Sequence, residues 1–313
     1  MTTRTSQFPI VTPAAYRGPA DQASLTKLKW GFRVGAVLLA AASNWVNRFA
    51  MGVDGISYLD MAYAYMRGQW KIAINPYWGA GYSWLLGAFL VPFHVSPYWE
   101  STVVHLVNVL VFVLALFAFE YLLAGVIQYR SLSRFSGTGL DPWTWWTIGY
   151  VLFLAVHTFL VPVTGVTPDL CVDVILFVAA GIIVRIASGS DTLRAYTVLG
   201  AILALGYLIK APMFPMGLVF LAAGWLASPR RRQALARSAV GCAVFLLLCS
   251  PFILAISLQL GRPTIGEAGR VTYAHYALGV NDVSYWQGQY AGMGTPRHPD
   301  ATRKLMDNPD VYA

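Results

Sequence analysis

Residues 51–83 read MGVDGISYLDMAYAYMRGQWKIAINPYWGAGYS, and the rest of the chain is organised around them. Apolar segments flank this stretch on both sides. Yet it carries the carboxylates Asp54 and Asp60, the cations Arg67 and Lys71, and an elbow rich in Pro and Gly at Pro76, Gly79 and Gly81. Ile56, Leu59, Tyr63, Met66 and Trp70 recur at three- and four-residue steps, the spacing of one helical stripe, with Asp60, Arg67 and Gln69 off it. Such a helix is expected to lie on a membrane surface rather than cross it. Asp54 follows the first hydrophobic segment closely, so it belongs at that surface. A carboxylate at the head of a surface helix, roofed by the next segment, is a candidate acid–base station.

Hydrophobic residues make up 57% of the 313 and charged residues only 12%. A soluble domain carries about a quarter charged residues, so the composition predicts an all-α polytopic membrane protein. The net charge of +8 comes from 22 Lys and Arg against 14 Asp and Glu. In a membrane protein that excess reads as cytoplasmic loops collecting cations. No basic–aromatic module is visible, and nucleic acid is not an expected partner. Cys171, Cys242 and Cys249 all fall in hydrophobic segments, so neither a disulfide nor a cysteine metal site is expected.

Residues 1–30, with Arg4, Arg17, Lys27 and Lys29, read as a disordered cytoplasmic arm, too long and polar for an ordinary cleaved signal peptide. Residues 31–258 read as the transmembrane domain, with a first external loop at 51–97, and residues 259–313 as an external polar region. Seven spans are expected, at 31–46, 99–127, 143–160, 170–187, 195–209, 212–227 and 238–257. The apolar run at 82–93 is short of the roughly 20 residues a crossing helix needs, and reads as re-entrant or interfacial. With a cytoplasmic N-terminus, this count puts Arg130, Arg134, Arg185, Arg194, Arg230, Arg231, Arg232 and Arg237 inside. A crossing at 82–93 would turn all of them outward, against the positive-inside rule. Asp54, Asp169, Lys210 and the tail then share the outer side. No internal repeat is apparent.

The pattern Asp54, Tyr58, Ala62, Gly68, a Pro76-Tyr77 elbow and an apolar Leu85-Leu86 run resembles a known loop. It is the first external loop of polyprenyl-phosphate-sugar-dependent glycosyltransferases of the GT-C type. These include the protein O-mannosyltransferases and the aminoarabinose transferases of lipid A. Where that family usually has two adjacent prolines, this chain has Pro76 alone, followed by Gly79 and Gly81. The resemblance covers residues 46 to 313. It implies a second acid at the next outer turn, where Asp169 stands, and a lysine near the position of Lys210. The Gly-, Tyr- and Trp-rich tail resembles the start of the family's large external region. Relatives continue with further spans, so the resemblance implies that this chain is truncated.

Each candidate residue has a bland alternative. Asp54 is either a helix cap or the general base that takes a proton from the attacking acceptor. Thr167-Pro168-Asp169 opens a helix by ordinary rules, with Thr as N-cap, and the resemblance makes Asp169 catalytic as well. Asp173 lies one turn deeper on the same face, where a cap cannot account for it. Asp169 and Asp173 could together hold a divalent metal or orient Lys210. Lys210 either snorkels to the headgroups or stabilises a lipid-phosphate leaving group. Ser101, His105 and Asn108 form a polar stripe beside Glu100, which reads first as helix–helix hydrogen bonding. His157 reads as structural.

The resulting expectation is transfer of a sugar from a polyprenyl-phosphate carrier to a lipid, glycan or protein acceptor. The setting would be the outer, periplasmic face of a bacterial inner membrane. Asp54 and Asp169 are the candidate catalytic residues, and Lys210, Tyr58, Asp173 and His105 the candidate substrate-binding ones. The alternatives are a transporter or lipid flippase with Asp173, His105 and Lys210 as a relay, and a non-catalytic scaffold.

Overall fold

The computed structural model describes residues 18–132 and 140–277. The expected arm at 1–17, Arg134 and the tail beyond 277 lie outside the described residues. Within them the chain is all-helical. In order the helices are α1 (Gly18–Val46), α2 (Val53–Met66), α3 (Trp70–Ala73), α4 (Ala80–Leu90), α5 (Pro97–Leu132), α6 (Pro142–Phe159), α7 (Asp169–Ala187), α8 (Leu193–Ile209), α9 (Met213–Ala227), α10 (Arg231–Leu260) and α11 (Ala268–Tyr276). Among them α5, α7 and α10 are long and apolar enough to cross a membrane, and α4, α8 and α9 are shorter apolar helices. The long apolar helices are consistent with an integral membrane protein. So is the outer surface, where Leu114, Val219, Leu247 and Leu254 all lie exposed.

The centre is built by α7 packed on α5 and α10 packed on α8. Gly200 of α8 lies so close to α10 that an added Cβ would sit 2.1 Å from the Gly241 carbonyl oxygen. Small residues at a helix crossing let backbones approach to this degree. Tyr196, Leu199, Leu203 and Tyr207 of α8 are fully buried around that crossing.

Two expectations need correction. Helix α1 begins at Gly18 rather than near residue 31, so the described part of the polar arm is helical. The reason is lateral support. Lys29 lies 3.6 Å from the centre of the Trp146 ring, Phe32 stacks on Tyr150 at 4.8 Å, and Arg33 reaches Glu120 of α5. The buried face of α2 also differs from the expected stripe. Tyr58, Leu59, Met61, Ala62, Ala64 and Tyr65 are buried, while Met66 and Trp70 are exposed.

From α5 to α10 the helices alternate in direction: Arg130 meets Trp145, Arg185 meets Tyr121 and Arg237 meets Asp191 at one end, while Asp169 meets Lys210 at the opposite, loop end. The head of α2 joins the loop end through Gly55 and Val166. Arg130, Arg185, Arg194, Arg230, Arg231, Arg232 and Arg237 gather at the other.

Candidate functional site

The loop-end site depends on two close backbone approaches. Gly55, in the first turn of α2, lies against Val166, whose Cβ would be 2.9 Å from an added Cβ. Gly79, at the elbow, rests on the end of α8, where an added Cβ would be 2.2 Å from the Ile209 carbonyl oxygen. Any side chain at Gly79 would force the elbow off α8. The elbow is shaped locally by Asn75, whose Oδ1 accepts from the backbone N–H groups of Tyr77 at 2.7 Å and Trp78 at 3.1 Å. This side-chain mimic of a backbone turn is a common use of Asn.

These contacts bring Asp54 of α2, Asp169 at the head of α7 and Lys210 at the C-cap of α8 into one electrostatic neighbourhood. Lys210 donates to Asp169 Oδ1. Their side chains keep 42% and 39% of their surface, so the pair is open to a ligand. Asp54 is an exposed residue whose carboxyl is nonetheless crowded by neighbouring protein. That crowding raises its pKa above the ordinary 3.8; the Lys210 charge acts to lower it, and the Asp169 charge to raise it. Asp54 does not cap α2: Gly52 occupies the N-cap position, with no side-chain cap bond. Likewise Pro168, not Thr167, precedes the first residue of α7, again without a side-chain cap bond.

Tyr58 forms the wall of the site. It is 2% exposed, with its ring edge-on to Trp78 at 5.0 Å and to Tyr82 at 5.2 Å. Burial, then the charges of Asp54 and Asp169, push its phenol far above the usual range, so it stays protonated. Ser83 Oγ donates to the Tyr58 carbonyl at 2.9 Å and ties α4 to α2.

Asp173 and His105 stand apart from this cluster. Asp173 Oδ2 lies 3.3 Å from His157 Nε2 of α6, and His157 Nδ1 is 2.8 Å from the Phe153 carbonyl. Asp169 and Asp173 thus face different partners, and among the described residues no three His, Cys, Asp or Glu side chains gather as a metal site. His105 is 1% exposed, with Nδ1 2.9 Å from Asn44 Oδ1 and Nε2 2.9 Å from the Ala50 carbonyl. Both ring nitrogens are engaged in holding the end of α1 to α5, so His105 is placed as a structural link and not as a substrate contact. Its neighbour Asn108 bridges Tyr82 at 2.8 Å and the Gly165 carbonyl at 2.9 Å, as a polar stripe between helices would.

The chain after α10, expected from the sequence as an external polar region, closes on the same end. The Glu267 N–H donates to the Pro76 carbonyl at 2.6 Å, and Tyr207 Oη donates to the Ile265 carbonyl at 3.1 Å. Buried Glu267 accepts from Arg262 at 2.6 Å and from Thr264 at 2.8 Å. Thr272 of α11 hydrogen-bonds Tyr77, whose phenol burial, aided by the Asp54 charge, pushes up to about 12. One signal was present in the sequence: Glu267 is the lone acid between Arg262 and Arg270. Comparison with protein-family models, curated proteins and solved structures returned no match.

Proposed function

We propose that the chain is a membrane glycosyltransferase that moves a sugar from a polyprenyl-phosphate carrier to an acceptor by direct displacement. The observation that carries this reading is the meeting of Asp54, Asp169 and Lys210, from three separate elements, at one open end of an apolar helical bundle. Asp54 takes the proton of the acceptor hydroxyl or amine as that group attacks the anomeric carbon. The bond from that carbon to the phosphate oxygen breaks, and its electron pair leaves with the phosphate. Lys210 stabilises the charge that develops there, and Asp169 holds the ammonium in position. Tyr58 and Trp78 shape the wall beside the sugar.

The bundle crosses the membrane seven times, with α2 to α4 and α11 on the outer side of a bacterial inner membrane. The arginines of the opposite end support that orientation. A cysteine placed at exposed Gly52 then reacts with an impermeant maleimide from outside, and one at exposed Ser190 does not. Labelling of Ser190→Cys from outside would reverse the topology. The activity is tested by incubating the purified protein in nanodiscs with a radiolabelled polyprenyl-phosphate sugar and candidate acceptors. Loss of label from the carrier to an acceptor is expected, and movement of intact carrier across the bilayer without cleavage would overturn the proposal.

A further inference from the structure

Lys210 is gripped between two glycine contacts. It is the C-cap of α8 in an extended conformation, with its N–H bonded to the Gly206 carbonyl at 2.9 Å and its carbonyl accepting from the Met213 N–H at 2.9 Å. On one side of it in the chain, Ile209 rests against Gly79 of the elbow. On the other, Ala211 meets Gly266, where an added Cβ would lie 2.9 Å from the Ala211 Cβ. Gly266 has a φ of +133°, which residues with a side chain rarely adopt, so the backbone and the close approach both call for glycine.

Glu267 fixes the strap that carries Gly266. It stands at the N-cap of α11 but makes no side-chain cap bond. Its carboxylate turns back instead, accepting from Thr264 Oγ1 at 2.8 Å on Oε1 and from Arg262 Nη2 at 2.6 Å on Oε2, with Arg270 Nη1 3.6 Å from Oε2. Thr264 Oγ1 in turn accepts from the Gly266 N–H at 3.1 Å, so one hydroxyl links the carboxylate to the glycine. The Glu267 side chain is 3% exposed, whereas those of Arg262 and Arg270 keep 43% and 61% of their surface. One buried carboxylate thus ties residues 262–270 into a knot, and the bonds that leave the knot run to the elements carrying the site. The Glu267 N–H reaches the Pro76 carbonyl, the Ile265 carbonyl accepts from Tyr207 of α8, and Thr272 bonds Tyr77. Ser257, near the end of α10, exchanges two bonds with the Thr264 backbone, at 3.0 and 3.2 Å. Neither a helix cap nor a solvated turn requires that pattern.

We propose that Glu267 is a positioning residue for Lys210: its carboxylate knots the strap, so that strap and elbow grip the Lys210 turn from two sides and keep the ammonium on Asp169. The consequence for donor binding rests on the glycosyl-transfer reading; the grip itself does not. The full chain in nanodiscs is treated with a water-soluble carbodiimide, which joins a lysine to a carboxylate only where the two touch, and the Asp169–Lys210 amide is measured by peptide mapping. Glu267→Ala and Gly266→Ala should each lower its yield about twofold to fivefold, the weight of one exposed ion pair. Glu267→Ala leaves Arg262 and Arg270 within reach of water, so the bundle is expected to stay folded, and Gly266→Ala displaces the strap with Glu267 still in place. An unchanged yield in either folded variant would overturn the assignment. The second measurement is a titration with polyprenyl phosphate. Glu267→Ala should weaken binding about fivefold, yet have no effect in a Lys210→Met background, because residues acting through one another are not additive. Equal losses in the two backgrounds would overturn the assignment and make Glu267 a general stabiliser of the loop end. A protein that gives the cross-link, loses it in both variants and binds no polyprenyl phosphate would uphold the grip and overturn the glycosyl-transfer reading.

Discussion

The two ends of the bundle use the same residue types to opposite effect. At the arginine-rich end, Glu120 accepts Arg33 Nε at 2.8 Å, Arg33 Nη2 at 2.5 Å and Tyr150 Oη at 2.6 Å, and its side chain is only 9% exposed. Asp191, with a fully buried side chain, takes Arg237 at 2.9 Å and Ser228 Oγ at 2.8 Å, both on Oδ2. Glu120 is engaged on both oxygens and Asp191 through Oδ2 alone, and both are sealed side chains that hold helices together. At the loop end, Lys210 and Asp169 are paired but open to solvent, and Asp54 is crowded without being sealed. Charges that are paired and sealed serve the fold, whereas charges left reachable and partly desolvated keep the capacity to act on a ligand.

The sharpest way to break this contrast is at Asp54. Asp54→Asn keeps the shape and removes the base, so transfer should fall roughly 10²–10⁴-fold, with the melting temperature unchanged. A stable variant with normal turnover would reduce the loop end to a second structural cluster. At the other end, Asp191→Ala removes the buried carboxylate that Arg237 and Ser228 bond and should cost about 1–3 kcal/mol in an unfolding experiment. A neutral result there would remove the distinction from the opposite side.

Lys210→Met sharpens the comparison further. Loss of one charge-assisted hydrogen bond, about 1.5–3 kcal/mol, should weaken donor binding by at least roughly tenfold in a titration with polyprenyl phosphate. Stability should change by less than about 1 kcal/mol, because the pair it breaks is exposed. The smallest effect concerns pH. The raised pKa of Asp54 means that its ionised form is disfavoured in the folded state, so its burial opposes folding above the unfolded value and that cost fades on acidification. A base must be ionised, so the acid limb of the transfer profile should lie above the limb an ordinary aspartate would give. Asp169→Asn removes a repelling charge and should move that limb down, and Lys210→Met should move it up. A limb unmoved by either change would separate Asp54 from the other two residues.

The positions of the helices were legible because hydropathy is written locally. The expected segments at 170–187, 195–209 and 212–227 differ from α7, α8 and α9 by at most two residues at either end. That Asp54, Asp169 and Lys210 stand at the edges of apolar runs was legible too, and a charge placed there must face something other than lipid. Which face of each helix turns inward was not. The expected stripe through Ile56, Met66 and Trp70 breaks where α2 ends at Met66 and α3 begins at Trp70; it and the α2 face through Tyr58, Ala62 and Tyr65 are both apolar, and only the second is buried. At a membrane surface both lipid and protein offer apolar partners, so hydropathy cannot rank the two faces. Partner choice follows from that rotation. Asp169 and Asp173, one turn apart, look alike in the sequence, yet one meets Lys210 and the other His157. The sequence by itself determined where the helices run and which charges sit at their edges. Only the tertiary structure decided which charges meet, because helix rotation and the glycine contacts at Gly55 and Gly79 set distances between residues far apart along the chain.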